Sequence, residues 1–131
     1  MDFKLSPDEI TFARGVRAFL AEEAQHPDAH DFMDPDRDCH SQLANSPERR
    51  AFCRRLAKHG YLGMSWPKGY GGQEIPGIYE YLLNEELALR GAPLIGKGVG
   101  CIGKTIIRHG SEEMKRQFLP LILDAEAEFA L

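Results

Sequence analysis

Helix punctuation recurs along this 131-residue chain and constrains its fold more than any other feature. Ser6-Pro7-Asp8-Glu9 is a capping box with proline at the first helical position. Ser46-Pro47-Glu48 repeats the serine–proline start, and Ser111 precedes Glu112 and Glu113, carboxylates suited to the positive end of a helix. The matching stops are glycines: Gly60 after Lys58-His59, Gly91 after Arg90 and Gly110 after His109.

Between these marks the apolar residues recur at helical period. The first segment carries Ile10, Ala13, Val16, Phe19 and Leu20 on one stripe and fades near Glu23, before Pro27. Residues 26–45 show no apolar period and read as a polar surface loop with at most one helical turn. The second helix buries Phe52, Leu56 and Ala57 and wets Arg49, Arg50, Arg54, Arg55 and Lys58. Residues 61–77 hold Gly63, Pro67, Gly69, Gly71, Gly72, Pro76 and Gly77 among aromatics, the mark of an ordered, turn-rich loop. A third helix spans about 78–90, with Ile78, Leu82, Leu83, Leu87 and Leu89 apolar. A fourth, weakened by Gly96, Gly98, Gly100 and Gly103, spans about 94–109. A fifth turns Met114, Phe118, Leu121 and Ile122 inward, and Pro120 kinks or tightens its end. The tail from Ala125 to Leu131 alternates Ala or Phe with Glu, as an opening strand does. The expected fold is therefore all-α, a bundle of five to six helices.

Composition sets the function classes. A chain this long buries roughly two-thirds of its unfolded surface, enough for one core. Twenty acidic against 16 basic residues give a net charge of -4, against a nucleic-acid binder. The apolar run of about 18 residues that a membrane helix needs is missing, and Met1-Asp2-Phe3-Lys4 does not open a signal peptide. Cys39, Cys53 and Cys101 are odd in number and widely spaced, which reads as reduced thiols in a cytoplasmic protein.

Four constellations carry possible chemistry. Gly98-Val99-Gly100-Cys101-Ile102-Gly103-Lys104-Thr105 spells the phosphate-loop pattern, in which backbone N–H groups and the lysine hold phosphate and the threonine holds magnesium. Leu121-Ile122-Leu123-Asp124 imitates the accompanying strand end. The pattern requires a preceding buried strand, and Arg90-Gly91-Ala92-Pro93 ends a helix instead, so the plainer reading is a glycine-rich helix in close packing. Gly98, Gly100 and Gly103 also form G-x-G-x-x-G, again without its strand. His26, Asp28, His30, Asp31, Asp34, Asp36, Asp38, Cys39 and His40 are of metal-ligating types. However, Cys39 stands where a calcium loop needs glycine, Asn45 where it needs glutamate, and zinc spacing is not met, so no metal is expected. Cys53 and Cys101 lack an activating base, and His59 and His109 suit the negative ends of helices. Glu85-Glu86 lacks the Glu-x-x-His partners of a di-iron site and suits neighbouring cations. Residue chemistry alone thus gives a helical domain without a self-contained active site.

Three blocks in order carry a resemblance. Tyr61-Leu-Gly-Met-Ser-Trp-Pro-Lys-Gly-Tyr-Gly-Gly72 resembles the loop of the flavin-dependent acyl-CoA dehydrogenases that reads Gly-aromatic-Leu-Gly, then Pro-x-x-Tyr-Gly-Gly. The helix Tyr81 to Arg90 and the stretch from Gly103 to Pro120 resemble the elements that follow it there. The capped helix from Ser6 fits the family's first helix, and residues 26–45 are the variable part.

The resemblance implies an N-terminal helical domain over 1–125, with 126–131 the start of a truncated β-domain. A β-barrel domain that binds flavin and substrate and a C-terminal helical domain with the catalytic glutamate would follow it. The implied reaction is α,β-desaturation of an acyl-CoA thioester, an oxidoreductase step of fatty-acid or lipid metabolism. A glutamate removes the α-proton, the β-hydride goes to flavin N5, and an electron-transfer flavoprotein takes the electrons. FAD and catalytic residues are then expected in the complete, homo- or hetero-oligomeric enzyme and not in this chain alone. The resemblance places Val99, Gly100, Cys101 and Ile102 on the wall of the acyl pocket. Small residues there either leave room for a bulky or long acyl group or simply permit close helix packing. The alternatives are a stand-alone helical interaction module and, third, a nucleotide binder through 98–105.

Overall fold

A computed structural model of the chain describes residues 3–36 and 44–129. Among these residues it contains six α-helices and no strand, the all-α fold the sequence predicts. Helix α1 (Pro7–Glu23) opens on the expected box: Glu9 N donates to Ser6 Oγ at 3.2 Å, and Ser6 N donates to Glu9 Oε2 at 2.9 Å. Its face of Ala13, Val16, Phe19 and Leu20 is buried. Ile10 departs from the expected stripe and stays 40% exposed. Phe12 turns in instead, edge-on to Tyr79 at 5.0 Å and to Tyr61 at 6.0 Å. Aromatic partners from the 61–77 loop and the third predicted helix thus outweigh the periodic position.

The stretch predicted as a polar loop contributes to the core. A short helix, α2 (Ala29–Phe32), carries Phe32 inward, where its ring stacks on Phe52 of α3 (Pro47–Lys58) at 5.1 Å and 18°. The predicted wet side of α3 needs a second correction. Arg49 is buried, and Arg55 lies over the Phe32 and Phe52 rings at 5.1 and 5.9 Å while its Nε bonds Glu23 at 2.7 Å. Arginine covers aromatic faces with its planar head and so enters places that periodicity assigns to solvent.

The 61–77 loop is ordered by its turns: a 3-10 turn at Lys68–Tyr70, and left-handed backbone at Gly63 and Gly71. It leads to α4 (Ile78–Leu89), which packs against α1 and buries Leu82, Leu83 and Leu87, while Leu89 stays exposed. The fourth predicted helix begins late. Residues 94–97 precede it, with Ile95 N held by Asn84 Oδ1 at 2.8 Å, and a π-turn at Gly98–Ile102 leads into α5 (Gly103–His109). Helix α6 (Glu112–Leu123) is capped by Ser111 and keeps Pro120 within it. It buries Leu119 and Ile122, whereas Met114 and Leu121, predicted to face in, are exposed. The tail 125–129 lies along the body without a strand partner; Phe129 meets Phe118 at 6.4 Å, and Glu126 pairs with Arg54 at 3.0 Å.

Candidate functional site

The glycine-rich segment is held from two sides by the 61–77 loop and α4. Trp66, with no exposed surface, donates its indole N–H to the carbonyl of Val99 at 3.0 Å. Its ring lies against Gly103, where a Cβ would collide with Cζ2 and come within 2.6 Å of Cη2. A π-turn shifts the backbone bonding register, and such turns concentrate at functional sites. Here Gly103 N reaches back to Gly98 O, and Val99 O accepts from outside the helix. The second hold is Glu80. Its Oε1 accepts from Ser65 N at 3.1 Å and Ser65 Oγ at 2.8 Å, and its Oε2 faces Lys104 Nζ at 3.4 Å.

The four candidate wall residues divide. Val99 is buried, Ile102 is half-buried, and Gly100 and Cys101 face outward. A Cβ on Gly100 would meet nothing within 4 Å. Behind Val99 lies a partly open cavity of about 100 Å³, lined by Cys53, Leu56, Leu94, Ile95 and Ile122 and bordered by the tail at Glu126–Glu128. Cys53 is half-buried there, and burial, with the Glu128 carboxylate second, pushes its thiol up to about 11. It is therefore protonated and inert at neutral pH.

The phosphate-loop reading does not assemble. No strand precedes Gly98 among the described residues. Lys104 is engaged by Glu80, and Thr105 Oγ1 bonds Cys101 O at 3.0 Å. Among the described residues no three of the acidic, histidine or cysteine side chains converge as metal ligands. Asp34 Oδ1 instead accepts from Asp36 N at 3.0 Å as a turn, and His26 Nδ1 accepts from Asp28 N at 3.2 Å. Asp38, Cys39 and His40 lie outside the described residues. Glu86 bonds Arg17 Nε at 2.9 Å, the cation partnership expected of the Glu85-Glu86 pair, while Glu85 is exposed.

Sequence reasoning missed Trp66 and Glu80 as organisers of this segment. The one signal available was a single tryptophan in a glycine-rich loop, since a buried indole N–H needs an acceptor.

An all-α domain carrying an ordered glycine–aromatic loop and a tethered glycine turn is the class this geometry defines. Residues 6–126 match the family described as acyl-CoA dehydrogenase, N-terminal domain. The chain belongs to the acyl-CoA dehydrogenase family, as its N-terminal helical domain. It is 32% identical to acyl-CoA dehydrogenase FadE29 of Mycobacterium tuberculosis over 131 residues, all of this chain and 32% of that protein. It is 30% identical to the mitochondrial isovaleryl-CoA dehydrogenase of Pongo abelii over 82 residues, 59% of this chain and 19% of that protein. Among solved structures, the Tcur3481-Tcur3483 steroid ACAD superposes with a TM-score of 0.78 at 28% identity, covering 98% of this chain and 32% of that one. The ChsE4-ChsE5 complex from Mycobacterium tuberculosis does so with a TM-score of 0.76 at 25% identity, covering 98% and 30%. The chain thus spans about a third of the length of FadE29 and of the two solved chains, and the match to the isovaleryl-CoA dehydrogenase covers 19% of that protein.

Acyl-CoA dehydrogenases are oxidoreductases and, in general, flavoproteins. Among the described residues, neither of the two clefts is closed enough to enclose a flavin. The cleft of about 100 Å³ behind Val99 falls below the ~300–1,000 Å³ of small-molecule sites. The larger space, about 510 Å³ between the 69–71 turn and α6, is an open groove of mixed polarity beside Tyr70 and Lys115. Among the described residues no helix is long and apolar enough to cross a membrane.

Proposed function

We propose that this domain forms one wall of the acyl pocket in a flavin-dependent enzyme that desaturates acyl-CoA thioesters. The observation that carries this reading is the outward presentation of Gly100 and Cys101 on a turn anchored from behind by Trp66. An anchored turn of small side chains leaves space for a substrate at a fixed distance. Val99 and Ile102 back this wall from the domain side. The likeness to a chain described as a steroid ACAD extends the acyl class to bulky, ring-bearing thioesters.

Flavin and the catalytic base belong to the remaining two domains, and residues 126–131 lead into the first of them. Alone, the 131-residue chain is then inactive. In the complete enzyme an electron-transfer flavoprotein receives the electrons, and the partner assembly is hetero-oligomeric, as the names of the two similar complexes suggest. Free thiols at Cys53 and Cys101 support a cytoplasmic location.

The test is a series of acyl-CoA substrates of increasing size, assayed with the complete enzyme and its Gly100→Val and Cys101→Phe variants. Both variants should lose kcat/KM for the largest acyl groups first. An unchanged size profile would remove the wall reading. Turnover by the 131-residue chain alone would remove the division of labour.

A further inference from the structure

We propose that Trp66 is a positioning residue for the acyl wall: it holds the 98–103 turn in its π register and so sets which acyl groups the wall admits. This rests on the wall reading above and adds to it the residue that fixes the wall's geometry.

Three observations converge on Trp66. It is the single tryptophan of the chain and has no exposed surface. Its Nε1–H reaches the Val99 carbonyl at 3.0 Å in a buried environment, where a neutral hydrogen bond is hardest to replace by water. Its six-membered ring occupies the space a side chain at 103 would need. One side chain therefore fills the inside of the turn and satisfies the carbonyl that the turn exposes. Without the indole N–H, Val99 O is a buried acceptor without that donor. The backbone then gains by reverting toward regular α-helical bonding, which rotates residues 100 and 101 about the helix axis. The neighbouring residue reinforces the hold, since Ser65 is tied through Glu80 to Lys104. Two adjacent loop residues thus grip both ends of the glycine segment, and only the outward side, Gly100–Cys101, is left ungripped.

The test uses the complete flavin-loaded enzyme that contains this domain. Trp66→Phe removes the N–H and keeps an aromatic ring. Replacement by benzothienylalanine keeps the two-ring shape without the N–H and serves where the phenylalanine variant folds poorly. Phe32→Leu, at a buried ring stacked on Phe52 and not bonded to the turn, is the control for general loosening. In the Trp66 variants, deuterium exchange at amides 98–104 should accelerate about two- to tenfold, the range a lost hydrogen bond gives, with α1 amides unchanged. The acyl-size profile should shift through KM, with kcat held within about twofold. Unchanged exchange at 98–104, or acceleration spread evenly over the domain as in Phe32→Leu, would overturn the proposal. A profile that moves with Gly100→Val but not with either Trp66 variant would overturn it while leaving the wall reading intact. If the profile moves with neither, both fall.

Discussion

The indole of Trp66 occupies the place where any residue larger than glycine at 103 would put its Cβ. The two positions are 37 apart in sequence, yet each dictates the other's size.

Gly103→Ala should therefore destabilise the domain by about 1–3 kcal/mol, the cost of overpacking a filled core. Gly100→Ala, where the new methyl meets nothing, should be neutral or stabilise by up to roughly 1 kcal/mol through reduced backbone freedom in the unfolded chain. Denaturant unfolding of the two variants side by side checks the contrast. Equal midpoints would show that the turn is not packed as described.

Glu80 and Lys104 should differ in the same assay. Glu80→Ala strips the partners from Ser65 N–H and O–H and should cost about 1–3 kcal/mol. Lys104→Ala removes only a solvent-screened contact and should cost less than about 1 kcal/mol. Titration with ATP and magnesium should show no saturable binding in either variant or in the parent chain. Saturable binding that Lys104→Ala abolishes would restore the phosphate-loop reading.

Phe32→Ala should cost about 3–5 kcal/mol, the loss of a buried aromatic ring, although position 32 falls in a stretch without apolar period. Thermal unfolding measures it. A change below about 1 kcal/mol, typical of surface sites, would place the ring outside the core.

The Cys53 thiol gives a pH signature. Its folded pKa is raised from the ordinary 9.0 to about 11, mainly by burial and next by Glu128. The folded state thus keeps its proton where the unfolded chain has released it. This stability contribution is full below pH 9 and is lost as pH rises toward 11. Cys53→Ala should flatten that part of the stability–pH curve. In peptide mapping after brief alkylation at pH 8, exposed Cys101 should be modified before Cys53. The reverse order would contradict the burial.

The helix starts were legible because caps are local. Ser6, Ser46 and Ser111 each bond a backbone N–H three residues on, a relation contained in four letters. Phe32 was not legible, because its partner Phe52 lies beyond a long polar stretch and no period announces it. Arg49 and Arg55 were misread because charge was taken to mean solvent; Arg49 is buried, and Arg55 lies over the Phe32 and Phe52 rings. Ile10 and Phe12 exchanged roles for a tertiary reason, the edge contacts to Tyr61 and Tyr79. At the candidate site the sequence named residues 99–102 as one wall. It could not show that Val99 turns inward while Gly100 and Cys101 turn outward, because the π register depends on a tryptophan 33 positions away.

The tail's contacts bear on how the domain is made. Glu126 grips Arg54 across 72 positions, and Glu128 accepts from Ala44 N across 84. On a ribosome, helices α1 to α5 can form as they emerge, but the tail residues that border the cavity behind Val99 arrive after all the helices of this domain. Closing so long a loop carries an entropic cost that local helix formation does not. Until then the side of the cleft beside Cys53 that the tail borders stands uncovered on a nascent chain.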